Sequence, residues 1–324
     1  MKRRHLTVAL AAPLLGMRPV RAQASWPTKP VRVIVAGGPG SGTDIVARVF
    51  CEALAKAFGQ PFVVDNKAGA NGLIGTDALV KAPKDGHVLL FTYAAAHVVN
   101  PVLMEKVPYD VNKDFAPVAQ IGTGGNLLVV SSQFPARDLK EFIAYVKTKA
   151  PNELSYGSWG VGSGGHRSME ALNQAAGLKM QHVPFKSASE SNTALIAGHI
   201  QAGFSATAAA LPQVNGGRLK ALAISGPVRV KQLPEVRTMT EQGVTFDVSA
   251  WYGLIAPAGT PPSVVNALNR EVLRLIADPA MAPRWDALGF QEMPLKTPAQ
   301  FEEQIQRDLR DWGAVVKAGN IKAE

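Results

Sequence analysis

An α/β fold in two domains, with largely parallel sheets, is what this sequence predicts, on three observations. Short strand-like apolar runs alternate with helix-like segments along most of the chain. A strand, a glycine-rich turn and a helix follow one another twice, at AGGPGSGTDI and again at SYGSWGVGSGGHRSME. Of 324 residues, about 300 remain once an N-terminal leader is set aside, enough for two domains.

The leader comes first. Residues 1–24 carry a basic start (Lys2, Arg3, Arg4), an apolar run over 6–15 and a small-x-small end at Ala22-Gln23-Ala24. That is the pattern of a secretory signal peptide cut near Ala24. The Sec route is expected over twin-arginine export, which only Arg3-Arg4 suggests. No later segment has the roughly 20 apolar residues that crossing a bilayer needs. Removing the five basic residues of the leader brings the formal charge from +9 to +4. No Lys/Arg cluster with interleaved aromatics remains, so a nucleic-acid partner is not expected. The single cysteine, Cys51, excludes an internal disulfide and is expected in the core.

The strand-like runs are residues 31–36, 62–65, 88–93, 127–130, 154–158, 219–225 and 251–256. Ile45, Val49, Ala53 and Ala57 recur every four residues, as one buried helical face would. Phe301, Ile305, Leu309, Trp312 and Val316 repeat that geometry near the end. No repeat of 20–50 residues is present.

Each glycine turn sits between a strand end and a helix start, where open α/β sheets bind ligands. Gly37 and Gly42 have the outer spacing of a phosphate loop, but Thr43-Asp44 stand where Lys-Ser/Thr is needed. The dinucleotide spacing fails as well. Around Ser163 the sequence VGSGG lacks the first glycine of a nucleophile elbow. Ser163 and His166 are three residues apart, so an exported esterase-like hydrolase stays open as the alternative. The six histidines form no metal-binding pattern, and neither a metal nor a cofactor is expected. Capture of an anion by backbone N–H groups remains, since a helix start carries roughly half a positive charge. A carboxylate suits such a site, because it needs donors and no transferred proton.

The chain resembles the substrate-binding proteins of tripartite tricarboxylate transporters, the Bordetella uptake gene family. Seven ordered blocks carry the resemblance, among them WPTKPVRVIVAGGPGSGTDIVAR, GQPFVVDNKAGANGLIGTDALVKAPKDGHVLLF, LSYGSWGVGSGGHRSMEAL and WYGLIAPAGTPPSVVNALNREV. The resemblance implies a type II periplasmic binding protein fold, two Rossmann-like lobes joined by a two-crossing hinge. Lobe 1 would be residues 25–125 and 250–324, and lobe 2 residues 126–249. The crossings would lie near residues 121–126 and 249–253. It further implies a monomeric, non-catalytic periplasmic protein that delivers a small carboxylate to membrane permease subunits, or signals its presence.

Carried over by position, the first lobe would contact ligand through Gly40, Ser41, Gly42, Thr43 and Asp44, and through Tyr93, Ala94 and Ala95 after the third strand. The second lobe would add Trp159, Gly160, Val161, Gly162, Ser163 and His166, with Phe204 and Ser205 nearby. A dedicated arginine is usually lacking in the family. The segment DNKAGANG, residues 65–72, reads as a turn with a structural role. Compared with the family pattern, Ala36-Gly37-Gly38, the Tyr93-Ala94-Ala95-Ala96 run, Trp159, Val161 and Phe204-Ser205-Ala206 remove amide and hydroxyl groups and add apolar surface. Buried polar groups must be paired, so a ligand with an apolar or aromatic body is expected rather than an amino acid or citrate.

Overall fold

In the run VRVIV of strand β1 (Val31–Val35), alternate side chains enter different cores. Val31, Val33 and Val35 pack with Phe50 and Leu268, whereas Ile34 packs with Leu79 and Phe301. Period-2 alternation with both faces covered turns a five-residue apolar run into an interior strand. The computed structural model describes residues 26–244 and 250–318, without the side chains of residues 250 and 314–318. The leader therefore lies outside the described residues.

Among these residues the strands form two five-stranded sheets, ordered β2-β1-β3-β10-β4 and β7-β6-β8-β5-β9. The first holds β1, β2 (Phe62–Asn66), β3 (Val88–Tyr93), β4 (Phe115–Gly124) and β10 (Ala250–Pro257). The second holds β5 (Asn126–Ser131), β6 (Ser155–Ser158), β7 (Gln181–Pro184), β8 (Ala202–Ala206) and β9 (Leu219–Ile224). The chain thus leaves the first sheet after Gly124 and re-enters it at Ala250, antiparallel to both β3 and β4.

In the second sheet, Leu128 and Val130 of β5 face one core while Leu127 and Val129 face the other. Strand β5 also runs antiparallel to both neighbours, so the sheets are mixed rather than largely parallel. Strands β4, β7 and β8 were not expected from the sequence. Pro117 and the glycines of β4 break its pattern, β7 is a short edge with exposed ends, and Gly203 interrupts β8.

Ten helices are described: α1 (Gly42–Phe58), α2 (Leu73–Val80), α3 (Asn100–Leu103), α4 (Leu139–Lys147), α5 (Gly164–Ala176), α6 (Ala188–Ile196), α7 (Thr207–Asn215), α8 (Pro262–Ala277), α9 (Ala282–Ala287) and α10 (Pro298–Ala318). In α1 the buried face is Val46, Phe50, Ala53 and Leu54, one position from the expected stripe. Ile45 and Val49 are half-buried and Ala57 is exposed, because α1 also packs sideways against α7 and α8. Cys51 is in the core. In α10, Phe301 and Ile305 are fully buried and Leu309 and Trp312 partly so, while Val316 falls outside the described side chains.

Gly125 links the sheets, and a Cβ there would lie 1.7 Å from the Ser225 carbonyl oxygen. Only glycine fits that crossing. The Asn126 N–H donates to Ser225 Oγ at 2.8 Å, tying the start of β5 to the end of β9.

Candidate functional site

Five helices begin at one cavity. Its lining takes Ser41, Gly42 and Thr43 from the start of α1, Gly72 from α2, Gly164 from α5, Ser187 and Ala188 from α6, and Ala206 immediately before α7. The two glycine loops picked out in the sequence therefore meet, and three further helix starts join them. Unsatisfied N–H groups and macrodipoles at these ends sum to a positive potential. The lining contains no acidic side chain, while Arg167 and Lys186 contribute positive charge. Such a cavity is built for an anion.

The first loop is set by its own hydrogen bonds. Ser41 Oγ accepts the Asp44 N–H at 3.3 Å and so caps α1, and the Ser41 N–H donates to the Gly38 carbonyl at 3.0 Å. The Asp44 carboxylate points away from the cavity. It accepts from the Gly40 N–H at 2.8 Å, Arg48 Nε at 3.0 Å and Asn66 Nδ2 at 2.9 Å. Burial alone would raise its pKa, but these donors hold it below the usual carboxylate value.

The second loop is capped the same way: Ser163 Oγ accepts the His166 N–H at 3.3 Å. Ser163 is fully buried. The Gly162 N–H donates to His166 Nδ1 at 3.0 Å, and the imidazole stacks on His182 with centroids 4.0 Å apart. Burial and the neighbouring His166 push His182 down to about 4. Ser163 Oγ thus serves as the cap of α5, and His166 Nδ1 accepts from the backbone of its own loop.

Trp159 does line the cavity. Its indole lies on the first turn of α5, so close that a Cβ at Gly165 would fall 2.6 Å from it. Tyr93, Trp159 and Tyr252, with Ala36, Ala95, Ala188 and Ala206, give the cavity its apolar surface. The Tyr93 hydroxyl donates to Asn71 Oδ1 at 3.0 Å, and Asn71 Nδ2 donates to Asn100 Oδ1 at 2.8 Å. Burial raises the Tyr93 and Tyr252 phenols, so both stay protonated donors. Asn126 Nδ2 is buried without a hydrogen-bond partner.

Of the residues carried over from the sequence, Ser41, Gly42, Thr43, Tyr93, Ala95 and Trp159 line this cavity. Gly40 is exposed, its N–H turned to Asp44, and Asp44 itself anchors the loop from behind. Ala94 packs into the core beneath β3. Gly160, Val161, Gly162, Ser163 and His166 lie outside the lining; Val161 and His166 border a separate surface hollow with His182 and Glu170. Phe204 is in the core of the second sheet, and Ser205 Oγ accepts from Asn192 Nδ2 at 3.0 Å.

The sequence reading missed Asn71, Asn126, Arg167, the Lys186–Ala188 segment and Tyr252. The turn over residues 65–72, read as structural, supplies Gly69, Asn71 and Gly72. A signal for Arg167 was present. It stands three residues after Gly164, on the same helical face, whereas His166 is turned off that face.

Contacts also cross between the sheets. Ser189 Oγ donates to the Pro39 carbonyl at 2.9 Å, and the Arg167 guanidinium stacks 4.3 Å from the centre of the Trp312 ring. Two α/β lobes closed over an anion-attracting cavity define a type II periplasmic solute-binding protein.

The comparisons agree. The model of the tripartite tricarboxylate transporter family receptor matches residues 46–321, and the chain belongs to that family. It is 32% identical to protein BugT of Bordetella pertussis over 318 residues, 98% of this chain and 95% of that protein. Its fold matches Rpa4515 of R. palustris, solved with adipate, at a TM-score of 0.87 and 28% identity, covering 92% of this chain and 99% of that one. MatC of Rhodopseudomonas palustris, solved with bound malate, gives 0.82 and 32%, covering 90% and 100%.

Proposed function

We propose that this chain is a periplasmic receptor that captures a small organic carboxylate with an apolar or aromatic body and passes it, unaltered, to membrane permease subunits. The observation that carries the reading is the convergence of five helix starts on a cavity whose lining has no acidic side chain. Relatives solved with adipate and malate support carboxylate as the ligand class. Tyr93, Trp159 and Tyr252 would pack against the ligand body, while backbone N–H groups of Gly42, Thr43 and Gly164 hold a carboxylate.

The leader would export the chain, which then works as a monomer. Among the described residues, no helix is long and apolar enough to cross a membrane. The lobes would be residues 25–125 with 250–324, and residues 126–249, turning at the two crossings; residues 25, 245–249 and 319–324 of these ranges lie outside the described residues. A ligand touching both lobes favours the closed form, because only differential contact shifts that equilibrium.

Thermal melts of the protein against aromatic, aliphatic and amino-acid carboxylates test the proposal. A ligand at a hundred times its Kd adds about 2.7 kcal/mol, a rise of roughly 5 °C for a chain of this size. Stabilisation by citrate or glutamate, with none by any aromatic or alkyl acid, would remove the apolar-body ligand class.

A further inference from the structure

The start of α5 gathers donors that the protein itself does not use. Ser163 Oγ takes the His166 N–H, and the Arg167 N–H returns to the Ser163 carbonyl at 3.0 Å. Gly164 precedes both bonds and opens on the cavity. Asn126 stands beside it, since a Cβ on Gly164 would lie 3.3 Å from Asn126 Nδ2. Asn126 is only 4% exposed, and its Nδ2 has no hydrogen-bond partner. One turn along the same helical face, Arg167 also lines the cavity, and its Nε is buried without a partner. No ion pair to Arg167 exists among the described residues. Unpaired buried donors are costly, and a desolvated cation more so.

What holds Arg167 in place comes largely from the other lobe. Its guanidinium stacks on the Trp312 ring at 4.3 Å, and Nη1 donates to the Gly162 carbonyl at 3.1 Å. Trp312 belongs to α10, whose Phe301 and Ile305 enter a core of the first sheet, while Met169 and Leu172 of α5 enter a core of the second. Trp312 packs with Ala95, Val99 and Leu103. Leu103 reaches the second loop as well, for a Cβ on Gly162 would lie 2.6 Å from its Cδ2. The ring and the carbonyl together fix the plane of the guanidinium, and a fixed planar fork loses less freedom when it pairs an anion.

We infer that Arg167 pairs directly with the ligand's anionic group at the start of α5, beside Asn126 Nδ2, and that Trp312 is its positioning residue. This rests on the carboxylate-receptor reading above and deepens it. The family pattern usually lacks a dedicated arginine, so the charge pair is a feature of this chain. Separating the lobes would take Trp312 away from α5, so the aligned guanidinium exists only in the closed form. Ligand charge thereby contacts that form differentially, which is what favours closure.

Arginine side-chain NMR of the isotope-labelled, unmutated protein tests the pairing first. The probes are hexanoate, adipate, benzoate and phenylacetate, each beside its primary amide. Among the described residues lining the cavity, Arg167 is the single arginine. One arginine Nε–H resonance should therefore move downfield when an acid binds, and less with the amide. A bound acid that shifts no arginine Nε–H overturns the inference while leaving the receptor reading intact. Calorimetric titration then separates the two roles. R167M should weaken the acid about 10-fold or more and its amide by less than about threefold, and R167K should recover part of the loss. W312L should weaken the acid about threefold with Arg167 present and add nothing to R167M, as expected of a residue acting through another. Equal losses for acid and amide in R167M assign Arg167 a purely structural role and overturn the pairing. Equal losses from W312L with and without Arg167 overturn the positioning role. The NMR comparison uses the unmutated protein, so it decides even if a variant folds poorly. Failure of every acid to bind removes the receptor reading itself.

Discussion

Gly42 and Ala206 meet across the cleft so closely that a Cβ on Gly42 would lie 2.7 Å from the Cβ of Ala206, and equally close to the Tyr252 hydroxyl oxygen. Gly42 opens α1 beside the first sheet, and Ala206 ends β8 in the second. The contact therefore measures how far the lobes have closed.

Gly42→Ala should act on closure rather than on folding. The position has no left-handed backbone, and alanine is the better helix former. Ligand affinity should fall more than about 10-fold, while the ligand-free melting temperature stays within a few degrees. Calorimetric titration together with thermal melts would show it; unchanged affinity would mean that the closed contact is not needed for binding.

Asp44→Asn should destabilise the fold by roughly 2 kcal/mol near neutral pH, since its carboxylate anchors the first loop through Gly40, Arg48 and Asn66. The folded pKa lies below the unfolded one, so the stabilisation is present above about pH 3.9 and lost as pH falls through the folded value. Denaturant titrations across pH 2–7 should show a shallower acid limb in the variant. Parallel acid limbs would assign the acid sensitivity to other carboxylates.

Ser163→Ala removes an N-cap and should cost about 1 kcal/mol of stability. Chromogenic esters should not be turned over by either protein above the buffer rate. Turnover in the unmutated protein that vanishes in the variant would revive the hydrolase reading.

Cys51 should resist alkylation at pH 8 until the protein unfolds. Its thiol is buried and desolvation pushes its pKa up to about 12, so almost no thiolate is present. Iodoacetamide labelling read by mass spectrometry should track the unfolding transition in urea. Fast labelling without urea would place Cys51 on an accessible surface.

The elements that sequence alone could locate are those with strong local chemistry. Strand β1 and the starts of helices α1 and α5 follow from apolar runs and glycine turns, which act within a few positions of one another. Strands β4, β7 and β8 were missed because their pairing comes from remote neighbours: β4, for example, is held by β10 more than a hundred positions later. The stripe chosen for α1 was off by one position because two helices pack on it at an angle that no local pattern encodes.

The candidate site divides along the same line. That two glycine loops open helices and can hold an anion was already decided by residues 37–44 and 155–166, because capping and free N–H groups are local properties. Which side chains turn inward was decided only by the folded chain. Asp44 and His166 look polar and available in the sequence, yet each is occupied by its own loop. Arg167, Asn126, Lys186 and Tyr252 come together from distant segments, since a cavity between lobes is made by long-range packing and its charge balance exists only once the lobes are in place.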